Sequence, residues 1–128
     1  MKVIADSSFL IMCIDYGKSL LERLEGSLGE RVEIIVPDVV KMELERIAGK
    51  TGKKGLLARG ALELLGKAEV LETYNRESVD GAILELARRT GYPVVTVDKT
   101  LARLLRRNRV KVITFTSGGK PHVEHRPL

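Results

Sequence analysis

Cysteine is almost absent from this chain, which contains Cys13 alone among its 128 residues. A single thiol cannot form an internal disulfide, and it offers no cysteine and histidine spacing for a structural zinc ion. We expect Cys13 to be a small core residue. A cytoplasmic protein is the simplest interpretation, because disulfides belong to oxidising compartments.

Aromatic residues and long apolar runs are also scarce. There is no Trp, and two Phe and three Tyr are too few to build a stacking platform for single-stranded nucleic acid. No apolar run approaches the roughly 20 residues that span a bilayer, so a membrane partner is not expected. Asp6 interrupts the N-terminal apolar segment too early for a signal-peptide core, and this segment is expected to form the first strand.

Positive charge is in excess, since 22 Lys and Arg against 17 Asp and Glu give a formal net charge of +5. This balance favours polyanionic partners such as RNA. The positive charge is concentrated at 50–54 and 99–111, and each segment follows a candidate acid. Solvated helix faces are the alternative interpretation. The residues expected to contact an RNA backbone are Lys53, Lys54, Lys99, Arg103, Arg106 and Arg107.

Strand-like and helix-like segments alternate along the chain, which is typical of a parallel sheet covered on both faces. We predict one α/β domain over 1–116, a three-layer α/β/α sandwich with a central parallel sheet of about five strands. The following segment, 117–128, is expected to be a flexible tail, and its His122 and His125 lack a third metal ligand. The predicted strands are 3–5, 32–36, 68–71, 93–97 and 110–114.

Four acids occupy positions that suggest a common role. Asp6 and Asp98 each directly follow a predicted strand. Glu43 lies on the apolar stripe of a predicted helix, and Asp80 lies near the start of another. Because the carboxyl ends of parallel strands meet at one edge of the sheet, where ligands bind, we expect the four to converge there. Four like charges at close quarters favour a bound Mg²⁺ or Mn²⁺.

Each acid also has a purely structural explanation. Asp6 and Asp98 can cap the helices that follow them. The helix dipole favours an acid at the position of Asp80. Glu43 can lie at the edge of its apolar stripe with its carboxylate in solvent, or form a hidden salt bridge.

Four short motifs follow one another along the chain. They are 3–10 (VIADSSFL), 36–44 (VPDVVKMEL), 78–87 (SVDGAILELA) and 94–101 (VVTVDKTL). These motifs resemble those of the PIN-domain nucleases, in the same order and with similar spacing, and the resemblance runs from residue 2 to about 115. The pattern is more similar to the archaeal and ribosomal-RNA-processing branch of the family than to its toxin branch.

The resemblance implies a PIN-like fold and a set of site residues. By that resemblance the catalytic, metal-binding acids are Asp6, Glu43, Asp80 and Asp98. Ser7 or Ser8 and Thr96 would be polar residues beside the metal. One position departs from the pattern: many relatives carry another acid where this chain has Thr100. Occupancy of a second metal position is therefore an open question.

The leading hypothesis is a Mg²⁺- or Mn²⁺-dependent endoribonuclease that cleaves single-stranded RNA, in ribosomal RNA processing for example. Asp6 and Asp98 are expected to bind the metal directly, and Glu43 and Asp80 to complete the site or hold metal-bound waters. The alternatives are a catalytically silent RNA-binding scaffold, the toxin of a toxin–antitoxin pair, and a receiver-like phosphoacceptor domain. Possible partners are a second copy of the chain, a ribosome-assembly factor or an antitoxin.

Overall fold

The strands of the protein form one sheet, seen in a computed structural model that describes residues 1–17 and 19–123. The sheet order is β3-β2-β1-β4-β5-β6, and every pair is parallel except the last. This confirms the predicted fold class. The strands are β1 (Lys2–Ala5), β2 (Glu33–Pro37), β3 (Glu69–Leu71), β4 (Val94–Val95), β5 (Val112–Phe115) and β6 (Pro121–Val123).

Six helices connect the strands. The chain steps outward in one direction from β1 to β3, and in the other direction from β4 to β5. Right-handed crossovers therefore place α1 to α4 on one face of the sheet and α5 and α6 on the other. The helices are α1 (Ser7–Tyr16), α2 (Ser19–Leu28), α3 (Asp38–Ala48), α4 (Gly52–Leu65), α5 (Val79–Thr90) and α6 (Lys99–Arg107). Among the described residues, no helix is both long and apolar enough to cross a membrane.

The core lies on both faces of the four central strands, β2, β1, β4 and β5. The residues in the middle of these strands are apolar on both faces of the sheet. Val3, Ile4, Val94 and Val95 are fully buried. Continuous apolar runs of this kind are expected for parallel strands covered on both sides. The helices contribute one apolar stripe each, and their fully buried members include Leu10, Leu20, Leu24, Val40, Leu44, Ile83, Leu86 and Leu105.

The segment predicted to be a flexible tail is in part a strand. β6 pairs antiparallel with β5, and Thr114 lies opposite His122. A turn with Gly119 at φ 78 joins the two strands, and Arg23 of α2 donates hydrogen bonds to the carbonyl oxygens of Gly118 and Gly119. The sequence analysis predicted no strand here, because the strand is only three residues long and its stabilising contact comes from a distant helix. His125 lies outside the described residues.

The surface of α4 carries two exposed leucines. Leu56 is 62% exposed and Leu64 is 43% exposed. The sequence analysis named a second copy of the chain as a possible partner, and exposed apolar residues of this kind would lie in a homodimer interface. That remains a prediction, and light scattering at micromolar concentration would contradict it by showing a monomer.

Gly55 is expected to tolerate no side chain, although it lies within a helix. A Cβ at this position would lie 1.9 Å from the backbone oxygen of Lys50, so Gly55→Ala should destabilise the fold by about 2 kcal/mol or more. Gly26→Ala is the matched control, because nothing lies within 4 Å of its Cβ position in α2. It should stabilise by about 0.5–1 kcal/mol. Thermal melts of both variants test this, and equal stability of the two would contradict it.

Candidate active site

Asp6 and Asp98 lie at the carboxyl edge of the sheet, at the ends of the neighbouring strands β1 and β4. Each is also the N-cap of the next helix. Asp6 accepts a hydrogen bond from the backbone N–H of Phe9 at 3.0 Å, and Asp98 accepts from those of Thr100 and Leu101 at 2.8 and 3.2 Å. The capping interpretation is therefore correct for both, and it does not compete with ligation, because a capping carboxylate keeps further lone pairs.

The Asp6 carboxylate is buried, with 6% of the residue exposed. Its Oδ2 accepts hydrogen bonds from Thr96 Oγ1 at 2.7 Å and from Ser8 Oγ at 2.8 Å. Burial raises its pKa to about 6, against the opposing effect of these hydrogen bonds, and the negative charge of Asp98 adds to the rise. Ionised Asp6 therefore destabilises the fold. Its hydrogen bonds hold the carboxylate in one orientation.

Ser8 and Thr96 connect the two strand ends. The Thr96 hydroxyl oxygen accepts a hydrogen bond from the Asp98 backbone N–H at 3.0 Å, and the Ser8 hydroxyl oxygen accepts one from Val97 N–H at 3.3 Å. The two hydroxyl oxygens lie 3.3 Å apart. Together they fix the backbone of Asp98 relative to the Asp6 side chain, while the Asp98 side chain is exposed to solvent.

Glu43 reaches the site from α3. It is half-buried, and Ser7 Oγ donates a hydrogen bond to its Oε1. Glu43 forms no salt bridge within the described residues. The hidden ion pair considered from the sequence is therefore not seen. Ser7 thus donates a hydrogen bond to Glu43, and the adjacent Ser8 donates one to Asp6.

Asp80 lies in the first turn of α5 and is half-buried. Burial raises its pKa, and the negative charges of Asp98 and of Glu43 raise it further. These couplings show that the Asp80 carboxylate is close to both of the other acids. The structure therefore brings all four acids into one region, as a chain of neighbours from Asp6 through Asp98 and Asp80 to Glu43.

The chemistry of this donor set fits a hard divalent cation. All the donors are carboxylate and hydroxyl oxygens, which Mg²⁺ and Mn²⁺ prefer. Mutual repulsion contributes to the raised pKa of Asp6 and of Asp80, and a cation relieves such repulsion. Within residues 1–17 and 19–123, however, no three Asp, Glu, His or Cys side chains form a group that could hold a metal ion. The acids are neighbours and not a preformed ligand set.

Asp38 has a role that the sequence analysis missed. Pro37 is the N-cap of α3, and Asp38 is the first helical residue. Its Oδ1 accepts hydrogen bonds from the Thr73 hydroxyl and, at 3.1 Å, from the Thr73 backbone N–H. Arg76 donates to its Oδ2 at 3.1 Å. Asp38 therefore holds the loop at 72–78, and this loop leads into Asp80.

Burial alone would raise the pKa of Asp38, but the hydrogen bonds from Thr73 and Val39 and the positive charge of Arg76 outweigh it and lower the pKa. The sequence offered one signal for this role, a carboxylate directly after a strand-ending proline. It did not indicate the partner, which is 35 residues away.

The predicted RNA-contacting residues separate into two places. Lys99, Arg103 and Arg106 line a cavity beside Asp98, and Arg107 is exposed on the same helix. Lys53 instead forms a salt bridge with Asp15 at 3.5 Å, near the end of α1 that is opposite to the acids. Asp15 is roughly 13 Å from Asp6 along the helix axis. Lys54 is exposed beside Lys53, so this pair is not brought together with the acids.

A family model of the PIN-like domain matches residues 3–117. The chain belongs to this family. Ribonuclease VapC4 of Methanocaldococcus jannaschii is 28% identical to it over 116 residues, which are 88% of this chain and 88% of the relative.

Two solved structures are similar to this one. The PIN domain endonuclease Utp24 superposes with a TM-score of 0.77 at 26% identity, covering 96% of this chain and 90% of Utp24. A domain of a functionally unknown protein from Methanocaldococcus jannaschii DSM 2661 has a TM-score of 0.67 at 19% identity, over 99% of this chain and 96% of that one. The second likeness shows the fold alone.

Asp6→Asn is expected to stabilise the metal-free protein at pH 8 but not near pH 4. A carboxyl group whose pKa is raised on folding from 3.8 to about 6 disfavours the fold when ionised. That penalty is full above pH 6, falls as the pH drops through 6, and vanishes below 3.8. At 1.36 kcal/mol per pKa unit the gain at pH 8 is about 2–3 kcal/mol, and Asn caps a helix about as well as Asp.

Thermal melts in a chelating buffer at both pH values measure this difference. Asp15→Asn removes an acid near the other end of the same helix, where its carboxylate forms an exposed salt bridge with Lys53. It should change the midpoint little at either pH. An Asp6→Asn variant that is less stable than wild type by the same amount at pH 4 and pH 8 would contradict the expected cost of ionised Asp6.

Asp38→Ala is expected to destabilise the protein by about 2–3 kcal/mol, because it leaves the Thr73 hydroxyl and N–H without an acceptor. Thr73 is 1% exposed. Since the folded-state pKa of Asp38 is lowered, its contribution is present above the unfolded pKa and is lost as the pH falls through the folded one. The difference in unfolding free energy between Asp38→Ala and the wild type should therefore decrease at acidic pH. Glu77→Ala, an exposed acid of the same loop, should change stability by less than about 0.5 kcal/mol.

Proposed function

We propose that the protein is a divalent-metal-dependent endoribonuclease acting on single-stranded RNA, with Asp6, Glu43, Asp80 and Asp98 as its catalytic, metal-binding acids. The observation that carries this proposal is the placement of Asp98, Asp80 and Glu43 near the buried Asp6 carboxylate, at one edge of the sheet. Membership of the PIN-like family supports it. So do the printed names of two relatives, a ribonuclease and an endonuclease.

Mg²⁺ or Mn²⁺ would be held by these four carboxylates and would supply an activated water and charge stabilisation for phosphodiester hydrolysis. Asp6 is the best oriented of the ligands, because three different donors fix its two oxygens. Glu43 is fixed by Ser7, while the Asp98 side chain is exposed and is held by its own helix N-terminus. Asp80 depends on the loop that Asp38 holds in place.

The basic face of α6 would position the RNA. Lys99 is adjacent to Asp98 in sequence, and Arg103 follows one helical turn later. Phosphates bound to these side chains would lie beside the acids, and the affinity would fall steeply with added salt. Lys53 and Lys54, near the other end of α1, could contact only a more distant part of a long substrate.

A catalytically silent RNA-binding scaffold is the second candidate. Thr100, which stands where many relatives carry an acid, is an exposed residue whose backbone N–H serves the Asp98 cap. It adds no negative charge to the site. A cellular role in ribosomal RNA processing or as a toxin is left open by the relatives, and the presence of a small antitoxin gene beside this one would favour the toxin.

Asp6→Asn and Asp98→Asn should each reduce cleavage of a labelled single-stranded RNA in Mn²⁺ buffer by 100-fold or more. A 100-fold loss corresponds to about 2.7 kcal/mol of transition-state stabilisation. Both substitutions keep shape and helix capping, so the fold should survive. Asp15→Asn, which removes one acid at the other end of α1, should cleave at the wild-type rate.

The wild type should lose all cleavage in EDTA and regain it with added Mn²⁺. Cleavage by Asp6→Asn at the wild-type rate would overturn the catalytic assignment. A wild type that binds RNA in EDTA and cleaves nothing in Mg²⁺ or Mn²⁺ would identify the scaffold instead.

A further inference from the structure

Tyr74 is the most exposed aromatic residue of the chain, with 66% of its surface open to solvent. It lies in the loop at 72–78, three residues after the end of β3. Exposure alone says little, because single apolar side chains are common on protein surfaces. Tyr74 differs from such residues because its ring is held in one position by contacts on one side only.

The guanidinium of Arg89 lies over one face of the Tyr74 ring, 4.7 Å from the ring centroid. Arg89 is itself fixed, because it donates hydrogen bonds to Glu85 Oε2 at 3.1 Å and to the backbone oxygen of Glu72 at 2.7 Å. A tyrosine covered on both faces could not remain 66% exposed, so the second face of the ring is open to solvent. The ring is therefore a fixed platform with one free face.

The backbone that carries the ring is also fixed. Tyr74 N–H donates a hydrogen bond to Glu85 Oε1 at 2.7 Å, and the neighbouring Thr73 donates both its hydroxyl and its N–H to Asp38. These contacts exist before any ligand is bound, so little further ordering of the loop is needed on binding. Such preorganisation lowers the entropic cost of association.

The platform lies at the same edge of the sheet as the four acids. β3 is two strands from β1, which corresponds to about 10 Å, and Asp6 directly follows β1. Asp80 is six residues beyond Tyr74, at most about 20 Å along an extended chain. The basic face of α6 follows β4, on the other side of β1. A strand whose phosphates lie on α6 would therefore pass the acids before it reaches Tyr74.

The surroundings of Tyr74 favour contact with a base over contact with a phosphate. The loop carries two exposed acids, Glu72 and Glu77. The nearby cations Arg76 and Arg89 are each paired with a carboxylate. A phosphate would gain little attraction here, whereas a base can stack on an aromatic ring without any charge on the protein.

We propose that the free face of Tyr74 binds one unpaired base of the RNA substrate, on the side of the acids opposite to the α6 cations. Arg89 supports the ring from its other face. A base within a duplex is already stacked on its neighbours, so this contact requires a single strand. The inference rests on the proposed function for its substrate, and it adds a base contact to the phosphate contacts of α6.

Two strands measure the base contact apart from the phosphate contacts. One is a fluorescent oligouridylate of ten nucleotides, and the other is an abasic backbone of the same length and charge. Each is titrated with the full chain in EDTA. The wild type should bind the oligouridylate about tenfold more tightly than the abasic strand. Tyr74→Leu should bind the two within about twofold of each other, and Tyr74→Phe should keep the wild-type preference, because it keeps the ring.

Tyr16→Leu is the matched control. Tyr16 is the next most exposed aromatic residue, at 41%, and it ends α1, about 15 Å along the helix axis from Asp6. This variant should keep the wild-type preference for oligouridylate. Equal losses in Tyr16→Leu and Tyr74→Leu would overturn the inference. So would a full preference in Tyr74→Leu, which would leave the ring to a protein partner. Thermal midpoints verify that both variants are folded.

The salt dependence of binding separates stacking from charge. Stacking releases no counterions, so the slope of log affinity against log salt should be the same for Tyr74→Leu as for the wild type. Lys99→Gln should make that slope shallower, because it removes a phosphate contact. A shallower slope for Tyr74→Leu would show that this loop acts through charge, and would contradict a base contact.

Cleavage in Mn²⁺ tests whether Tyr74 acts on the substrate or on the catalytic acids. A base bound away from the reacting phosphate contributes equally to ground state and transition state, so Tyr74→Leu should raise KM about tenfold and leave kcat within about twofold. A lower kcat at unchanged KM would show that Tyr74 only positions Asp80 through the loop, and would overturn the inference.

The outcomes also separate this inference from the proposed function. Wild-type cleavage together with an unchanged oligouridylate preference of Tyr74→Leu would remove the base site and leave the nuclease standing. Loss of that preference in Tyr74→Leu, with no cleavage by the wild type, would support the base site in an RNA-binding scaffold.

Discussion

The burial of the Asp6 carboxylate is the constraint on which the rest of the site depends. A carboxylate with 6% exposure is stable only if its oxygens are hydrogen-bonded, and Ser8, Thr96 and the Phe9 N–H provide those bonds. Ser8 and Thr96 then have little freedom left, and their hydroxyl oxygens accept from the backbone of the β4–α6 connection. The hydrogen bonds that the buried Asp6 carboxylate requires therefore fix the ends of β1 and β4 and the start of α6.

Helix capping also orients Asp6 and Asp98, the two acids that are proposed to bind a metal directly. A cap fixes the carboxylate at the helix N-terminus by hydrogen bonds from backbone N–H groups, as for Asp98 with Thr100 and Leu101. These groups also stabilise its negative charge. An acid at the end of a parallel strand is thus oriented by the helix that follows it, and its remaining lone pairs are available to a cation. Ionised Asp6 and Asp80 destabilise the fold in the absence of a cation, because burial and the negative charge of neighbouring acids raise the pKa of both.

Most of the fold was predictable because local patterns encode it. Buried parallel strands are continuous apolar runs, the helices show one apolar stripe each, and Gly91 ends α5 in the left-handed conformation expected of a helix-terminating glycine. The positions of Asp6 and Asp98 at one sheet edge follow directly from parallel topology. What could not be predicted rests on contacts between distant segments. Asp38 meets Thr73, and Arg23 meets the turn before β6, through side chains that carry no local signal of their partners.

The difference between local patterns and contacts of distant segments also applies to the basic residues. The sequence analysis had grouped them by local charge alone. Lys53 and Lys99 belong to similar basic segments, yet one pairs with Asp15 near the far end of α1 and the other lines a cavity at the acid cluster. Helix orientation decides the difference: α6 begins at the carboxyl edge with Asp98 as its cap, so the face that carries Lys99 and Arg103 starts at the site. Asp98 and the two cations Lys99 and Arg103 are therefore brought together by the orientation of α6.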